Sequence, residues 1–154
     1  MSYNRFSGDP AVKITPDGAV IKFIGGQPVM DSGLANTVQI SLFTKRGWWG
    51  NVLFKEDSKK IGSDFEARCM EPIIALSSVN KITDAGEKAL AWMKDSGTIQ
   101  KADVNVTNPR NDFIKTEIVI TPPGQDDLEF LFTKNGLSWK NQAQNPAYEM
   151  MEDV

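Results

Sequence analysis

The apolar positions of the chain fall into stretches with different periods. Near the start, Val12-Lys13-Ile14-Thr15 and Ala19-Val20-Ile21-Lys22-Phe23 flank Pro16-Asp17-Gly18. Pro at the second turn position and Gly at its close suit a β-turn, so the segment predicts two short strands. Gly25-Gly26-Gln27-Pro28 reads as a further loop. From Leu34 to Thr44 two periods compete. Val38, Ile40 and Leu42 alternate like a strand, whereas Leu34, Val38 and Leu42 recur every four residues like a helix. Ser32 as a possible N-cap, with Ala35 and Gln39 as helix formers, favours helix. Thr44 to Asn51 is a loop, Lys55 to Lys60 is a charged stretch, and Ile61 to Phe65 opens another element. Ser63 can cap a short helix running towards Met70, with Pro72 ending or kinking it.

The clearest period lies between Val79 and Ser96. Val79, Ile82, Gly86, Ala89, Leu90 and Met93 share one helical face, and Trp92 flanks it. Ser78 or Asn80 suits the start and Gly97 the end, which predicts a helix over about 80–96. Three β-type runs follow, Ile99–Thr107, Phe113–Thr121 and Leu128–Thr133, separated by short turn-rich segments that favour antiparallel pairing. The predicted fold class is α+β: short N-terminal strands, two to three helices, and a C-terminal three-stranded antiparallel sheet covered by the helix near 80–96. Residues 1–139 form one domain on this reading. The polar, acidic residues 140–154 are expected to be a mobile tail or partner-dependent arm.

Composition narrows the function classes. With 154 residues, 40% hydrophobic and 24% charged, the chain can bury a core without staples. Seventeen basic against 20 acidic side chains, interspersed, give no basic stripe for nucleic acid. Cys69 stands alone, so no intrachain disulfide is expected, and a reducing compartment suits it. The polar stretch Met1 to Pro10 lacks the apolar core of a signal peptide, and no apolar run approaches the roughly 20 residues of a membrane span. The expectation is a protein made in the cytoplasm, with no membrane partner. Histidine is absent. That removes His-based metal sites, Ser-His-Asp and Cys-His nucleophiles and the usual base near neutral pH. The acidic pairs Glu56-Asp57, Asp126-Asp127 and Glu152-Asp153 are adjacent in polar stretches and read as solvated charge. A glycosidase would need two carboxylates about 5–9.5 Å apart across a cleft. No catalytic residue, cofactor or metal is expected.

Trp48-Trp49, between Gly47 and Gly50, is the most unusual local feature. The expectation is that at least one ring fills the core while the other covers a loop or an interface, since each large ring buries about 150–250 Å². Gly47-Trp48-Trp49-Gly50 lacks the Gly-Lys-Ser/Thr ending of a phosphate loop and the strand–GxGxxG–helix context of a dinucleotide site. Lys59-Lys60 reads as a solvated turn, and Cys69 as a small, partly buried apolar residue.

The order of features is more specific than any one of them. It runs Leu42-Phe43-Thr44, Arg46-Gly47-Trp48-Trp49-Gly50-Asn51, Ile61-Gly62-Ser63, then Ala89-Leu90-Ala91-Trp92-Met93-Lys94-Asp95-Ser96-Gly97 and a β-rich end. This resembles the Mu-like bacteriophage baseplate wedge family, relatives of the small wedge protein of T-even phages, over residues 12–139. Asp64-Phe65-Glu66-Ala67-Arg68 departs from it, standing where such proteins carry a Leu-Trp-rich run. The resemblance implies a non-enzymatic structural subunit of a contractile-tail baseplate, assembled in the host cytoplasm and located in the virion tail. Its implied partners are larger wedge subunits and the sheath protein, with no small-molecule substrate. The implied structural and interface residues are Arg46, Gly47, Trp48, Trp49, Gly50, Gly62, Ser63 and Trp92. An exposed edge of the sheet holding Phe113–Thr121 and Leu128–Thr133 is expected to accept a partner's extended arm.

A carbohydrate- or cell-wall-binding module, or a lysozyme-like enzyme, is the competing reading, with Trp48-Trp49 as a sugar platform. A buried tryptophan pair would favour assembly; an open cleft with two facing carboxylates would favour the enzyme.

Overall fold

The computed structural model describes residues 9–31, 34–135 and 138–143, with only the backbone at 13, 14 and 138–143. The expected tail residues 144–154, and Ser32 as a cap, lie outside the described residues.

The N-terminal part is a series of two- and three-residue strands. β1 (Asp9–Pro10) pairs with β6 (Met30–Asp31), β2 (Lys13–Thr15) with β3 (Gly18–Val20), and β4 (Phe23–Ile24) with β5 (Gln27–Pro28), all antiparallel. The predicted Pro16-Asp17-Gly18 turn joins β2 and β3, with Gly18 at φ 128°. Such short ladders need outside support. For β1 and the residues leading into β2 it comes from α1 (Leu34–Phe43), whose side chains act as surrogate backbone partners. Asn36 Nδ2 donates to Pro10 O at 2.8 Å, Asn36 Oδ1 accepts from Val12 N at 3.1 Å, and Gln39 Nε2 donates to Val12 O at 2.9 Å.

In α1 the four-residue period wins: Ala35, Val38 and Leu42 are buried, while Ile40 is 53% exposed. A free N–H of the first turn, that of Asn36, is met by Asp31 Oδ2 at 3.2 Å. α2 (Phe65–Met70) starts as predicted, with Phe65 N donating to Ser63 Oγ at 2.9 Å. α3 spans Leu76–Asp95, four residues earlier than the predicted start. Ser78 does not cap it; its Oγ accepts instead from Ile74 N upstream. Gly97, at φ 78°, closes α3 in the left-handed conformation expected of it.

The C-terminal sheet has the antiparallel order β10-β9-β8-β7, formed by β7 (Lys101–Arg110), β8 (Phe113–Thr121), β9 (Leu128–Asn135) and β10 (Ser138–Ala143). This adds one strand to the three expected. β10 takes in residues 140–143, placed in the tail by sequence, and lies against β2. Ile114, Thr116, Ile118 and Ile120 of β8 alternate into the core with Phe130, Phe132 and Lys134 of β9. Ile82, Leu90 and Met93 of α3 are buried on the same core, as predicted for the covering helix. α3 approaches β7 closely at Gly86, where an added Cβ would stand 3.1 Å from Val104 Cγ1. Phe43 joins the layers, edge-on to Phe65 of α2 at 5.8 Å and to Phe132 of β9 at 5.5 Å. Thr116 is fully buried and its hydroxyl has no hydrogen-bond partner among the described residues.

The strand order identifies the edges of the sheet that holds the two expected runs. Phe113–Thr121 and Leu128–Thr133 are the inner strands, so their backbone groups are already paired on both sides. The outer strands are β7 and β10.

Candidate functional site

The chain between Thr44 and Ser63 leaves the body of the fold and returns to it. It is pinched at the base: Ser63 N donates to Thr44 O at 2.8 Å, and Lys45 and Ser63 form an isolated parallel bridge. Arg46 Nε meets Asp64 Oδ1 at 2.7 Å across the same neck, an exposed pair that fixes geometry more than it stabilises. Two glycines make the neck possible. Gly47 lies at φ 76° and Gly62 at φ 146°, where a Cβ would stand 2.9 Å from the Arg46 Cα. No side chain fits there without moving backbone.

Further out, Trp49–Leu53 wind into a 3-10 helix, and Asn51 ties it to the return strand. Asn51 Nδ2 donates to Ile61 O at 2.7 Å and Asn51 Oδ1 accepts from Ile61 N at 2.9 Å. Gly50 is buried beneath the Trp48 ring, so closely that a Cβ would overlap the indole. The two indoles sit 5.4 Å apart at a 45° tilt.

The expectation that one of these rings fills the core is not met. Trp48 is 36% exposed and Trp49 74%, and Val52 and Leu53 are exposed at 84% and 75%. Glycine contacts and backbone hydrogen bonds fix the loop, not a buried indole. Its apolar side chains face solvent. The buried pair that would have favoured assembly over sugar binding is therefore absent.

Of the residues singled out by sequence, Arg46, Gly47, Trp48, Trp49, Gly50, Gly62 and Ser63 converge on this loop and its neck. Trp92 does other work: it is half-exposed on α3 and its Nε1 donates to Ser41 Oγ of α1 at 3.0 Å. Sequence reasoning missed Asn51 as the clamp and Val52 and Leu53 as exposed apolar residues. Asn in a Gly-bounded loop was the available signal for the first.

Beside the neck lies an open cleft of about 160 Å³, below the usual size of a cofactor pocket. Arg46, Arg68, Lys81 and Lys88 line it against Asp64 and Asp84. Arg68 is held by Glu71 at 2.8 Å. Among the described residues no three His, Cys, Asp or Glu side chains group as a metal site, and no helix is long and apolar enough to cross a membrane. Burial pushes the Cys69 thiol up to about 12, with nearby Lys134 partly opposing the rise, so Cys69 is a poor nucleophile.

Comparison with protein-family models, with curated proteins and with solved structures gives no significant match.

Proposed function

We propose that the chain is a structural subunit of a contractile-tail baseplate wedge, joining larger wedge subunits and helping to initiate the sheath. The exposed tryptophan pair does not favour assembly over sugar binding; the observation that carries the assembly part of this reading is the exposure of the aliphatic Val52 and Leu53 beside it, which sugar stacking does not call for, on a loop with a fixed base. Large apolar side chains held out to water on a preorganised loop suit a protein interface, because little ordering entropy is lost when a partner covers them. The baseplate part rests on the ordered motifs from Leu42 to Gly97. A partner's extended arm would add to the outer side of β7, since β10 already lies against β2. The test is co-expression with candidate wedge and sheath proteins, followed by affinity purification and hydrogen exchange. Retention of a wedge protein, with new protection at 48–54 or along β7, is expected. No retention of any wedge or sheath candidate sinks the reading.

The exposed indole of Trp49 favours one second reading, a carbohydrate-binding module. The 45° tilt between the rings makes a poor flat platform for successive sugars. Quenching or shift of tryptophan fluorescence by cell-wall oligosaccharides, lost in Trp49→Ala, would establish it.

A further inference from the structure

The loop and the cleft meet at Arg46, and their charges are unevenly matched. Between Lys45 and Lys60 stand five basic side chains (Lys45, Arg46, Lys55, Lys59 and Lys60) and two acidic ones (Glu56 and Asp57), in a chain whose net charge is −3. The acids are spent locally: Glu56 on Lys59 at 3.5 Å and Asp57 on Lys60 at 2.7 Å. Asp64 is spent on Arg46, and Glu71 on Arg68. Four lysines are left over. Among the described residues Lys45 and Lys55 beside the loop, and Lys81 and Lys88 in the cleft, make no ion pair. Asp84, also in the cleft lining, lies between Lys81 and Lys88 on α3 and offsets part of their charge, so the surface is an exposed apolar ridge with a net positive rim. That is the arrangement of an interface with an apolar centre and a polar border.

Its complement is a segment that mixes carboxylates with adaptable apolar side chains. The chain carries one in Tyr148-Glu149-Met150-Met151-Glu152-Asp153-Val154, with three acids and no base. We infer that this segment of one copy docks on the loop and cleft of a second copy, with its carboxylates against the free lysines and Met150 and Met151 against the tryptophans. Methionine fits irregular apolar surfaces and makes favourable sulfur–aromatic contacts. The contact is heterologous, loop to segment, so it links copies head to tail and closes only if the rotation between them allows. This rests on the reading of the loop as an assembly interface.

Sedimentation velocity of the full chain tests it. Self-association is expected to grow with concentration and to weaken about tenfold on going from low to high salt. The double variant Lys81→Glu, Lys88→Glu and the triple variant Glu149→Lys, Glu152→Lys, Asp153→Lys should each be monomeric, and mixing the two should restore a complex. Lys81 and Lys88 are exposed, but both lie within a turn of Asp84 on α3, so the double reversal should lower the melt slightly and leave the chain folded. A parent chain that stays monomeric at every concentration overturns the inference. So does a pair of well-folded variants that does not recombine. Retained wedge co-purification in that case leaves the baseplate reading standing; lost wedge co-purification with intact self-association removes that reading alone.

Discussion

The side chain of Asn51 closes both backbone hydrogen bonds of Ile61, accepting from its N–H at 2.9 Å and donating to its C=O at 2.7 Å. One carboxamide thereby does the work of a strand partner across ten residues of loop. Replacing Asn51 by Ala leaves two half-buried backbone groups without that partner, at a cost of about 1–3 kcal/mol. Asn51→Asp keeps the acceptor but sets a carboxylate against the Ile61 carbonyl, and should be no better. Urea midpoints should fall in both variants, and trypsin should cut sooner at Lys55. Unchanged midpoints and cleavage would show that the neck alone holds the loop.

The two tryptophans should differ in what they contribute to stability. Trp49 is 74% exposed, so Trp49→Ala should shift unfolding free energy by no more than about 0.5 kcal/mol. Trp48 covers Gly50 and should cost about 1–2 kcal/mol when truncated. Thermal melts of the single variants decide this. A large loss in Trp49→Ala would mean that the ring is covered in solution.

Gly86 sits where α3 comes nearest the sheet, with Val104 and Phe65 beside the place a Cβ would occupy. Gly86→Val must push the helix from β7 or force rotamers, at about 1–3 kcal/mol. Gly86→Ala gains about 1 kcal/mol of helix propensity against a single contact at 3.1 Å, so it should come close to neutral. Equal melting of the Val variant and the parent would contradict the close approach.

Cys69 should make stability fall at alkaline pH. Its folded thiol is pushed up to about 12 by burial from an ordinary value of 9.0. The unfolded chain therefore loses its proton first, and the contribution, complete below pH 9, is lost as pH rises towards 12. Urea unfolding at pH 7 and pH 10 should show a larger drop in the parent than in Cys69→Ala. The thiol should also resist iodoacetamide until the protein unfolds. Rapid alkylation of the native chain would refute its burial.

Much of the fold was legible because it is written in local period. Val79 to Met93 could only be an amphipathic helix, and Phe113–Thr121 could only alternate. Where two periods overlapped, in Leu34 to Thr44, helix propensity decided correctly, and the exposure of Ile40 shows what the strand reading would have cost. The strand beyond Asn135 was missed because Ser138–Ala143 holds little apolar alternation; it is recruited by pairing with β9. Which strands lie at the edges was not legible, since strand order is a long-range property.

The adjacent tryptophans in a Gly-bounded loop were visible from sequence as the feature to examine, and seven of the eight singled-out residues do converge there. Sequence by itself determined the helices and three strands of the C-terminal sheet, the absence of histidine and the placement of the glycines that let the loop turn. Only the tertiary structure decided which way the indoles face. Burial depends on whether a loop lies over the core or projects from it, and that is set by contacts such as Ser63 with Thr44 and Asn51 with Ile61, between residues far apart in the chain.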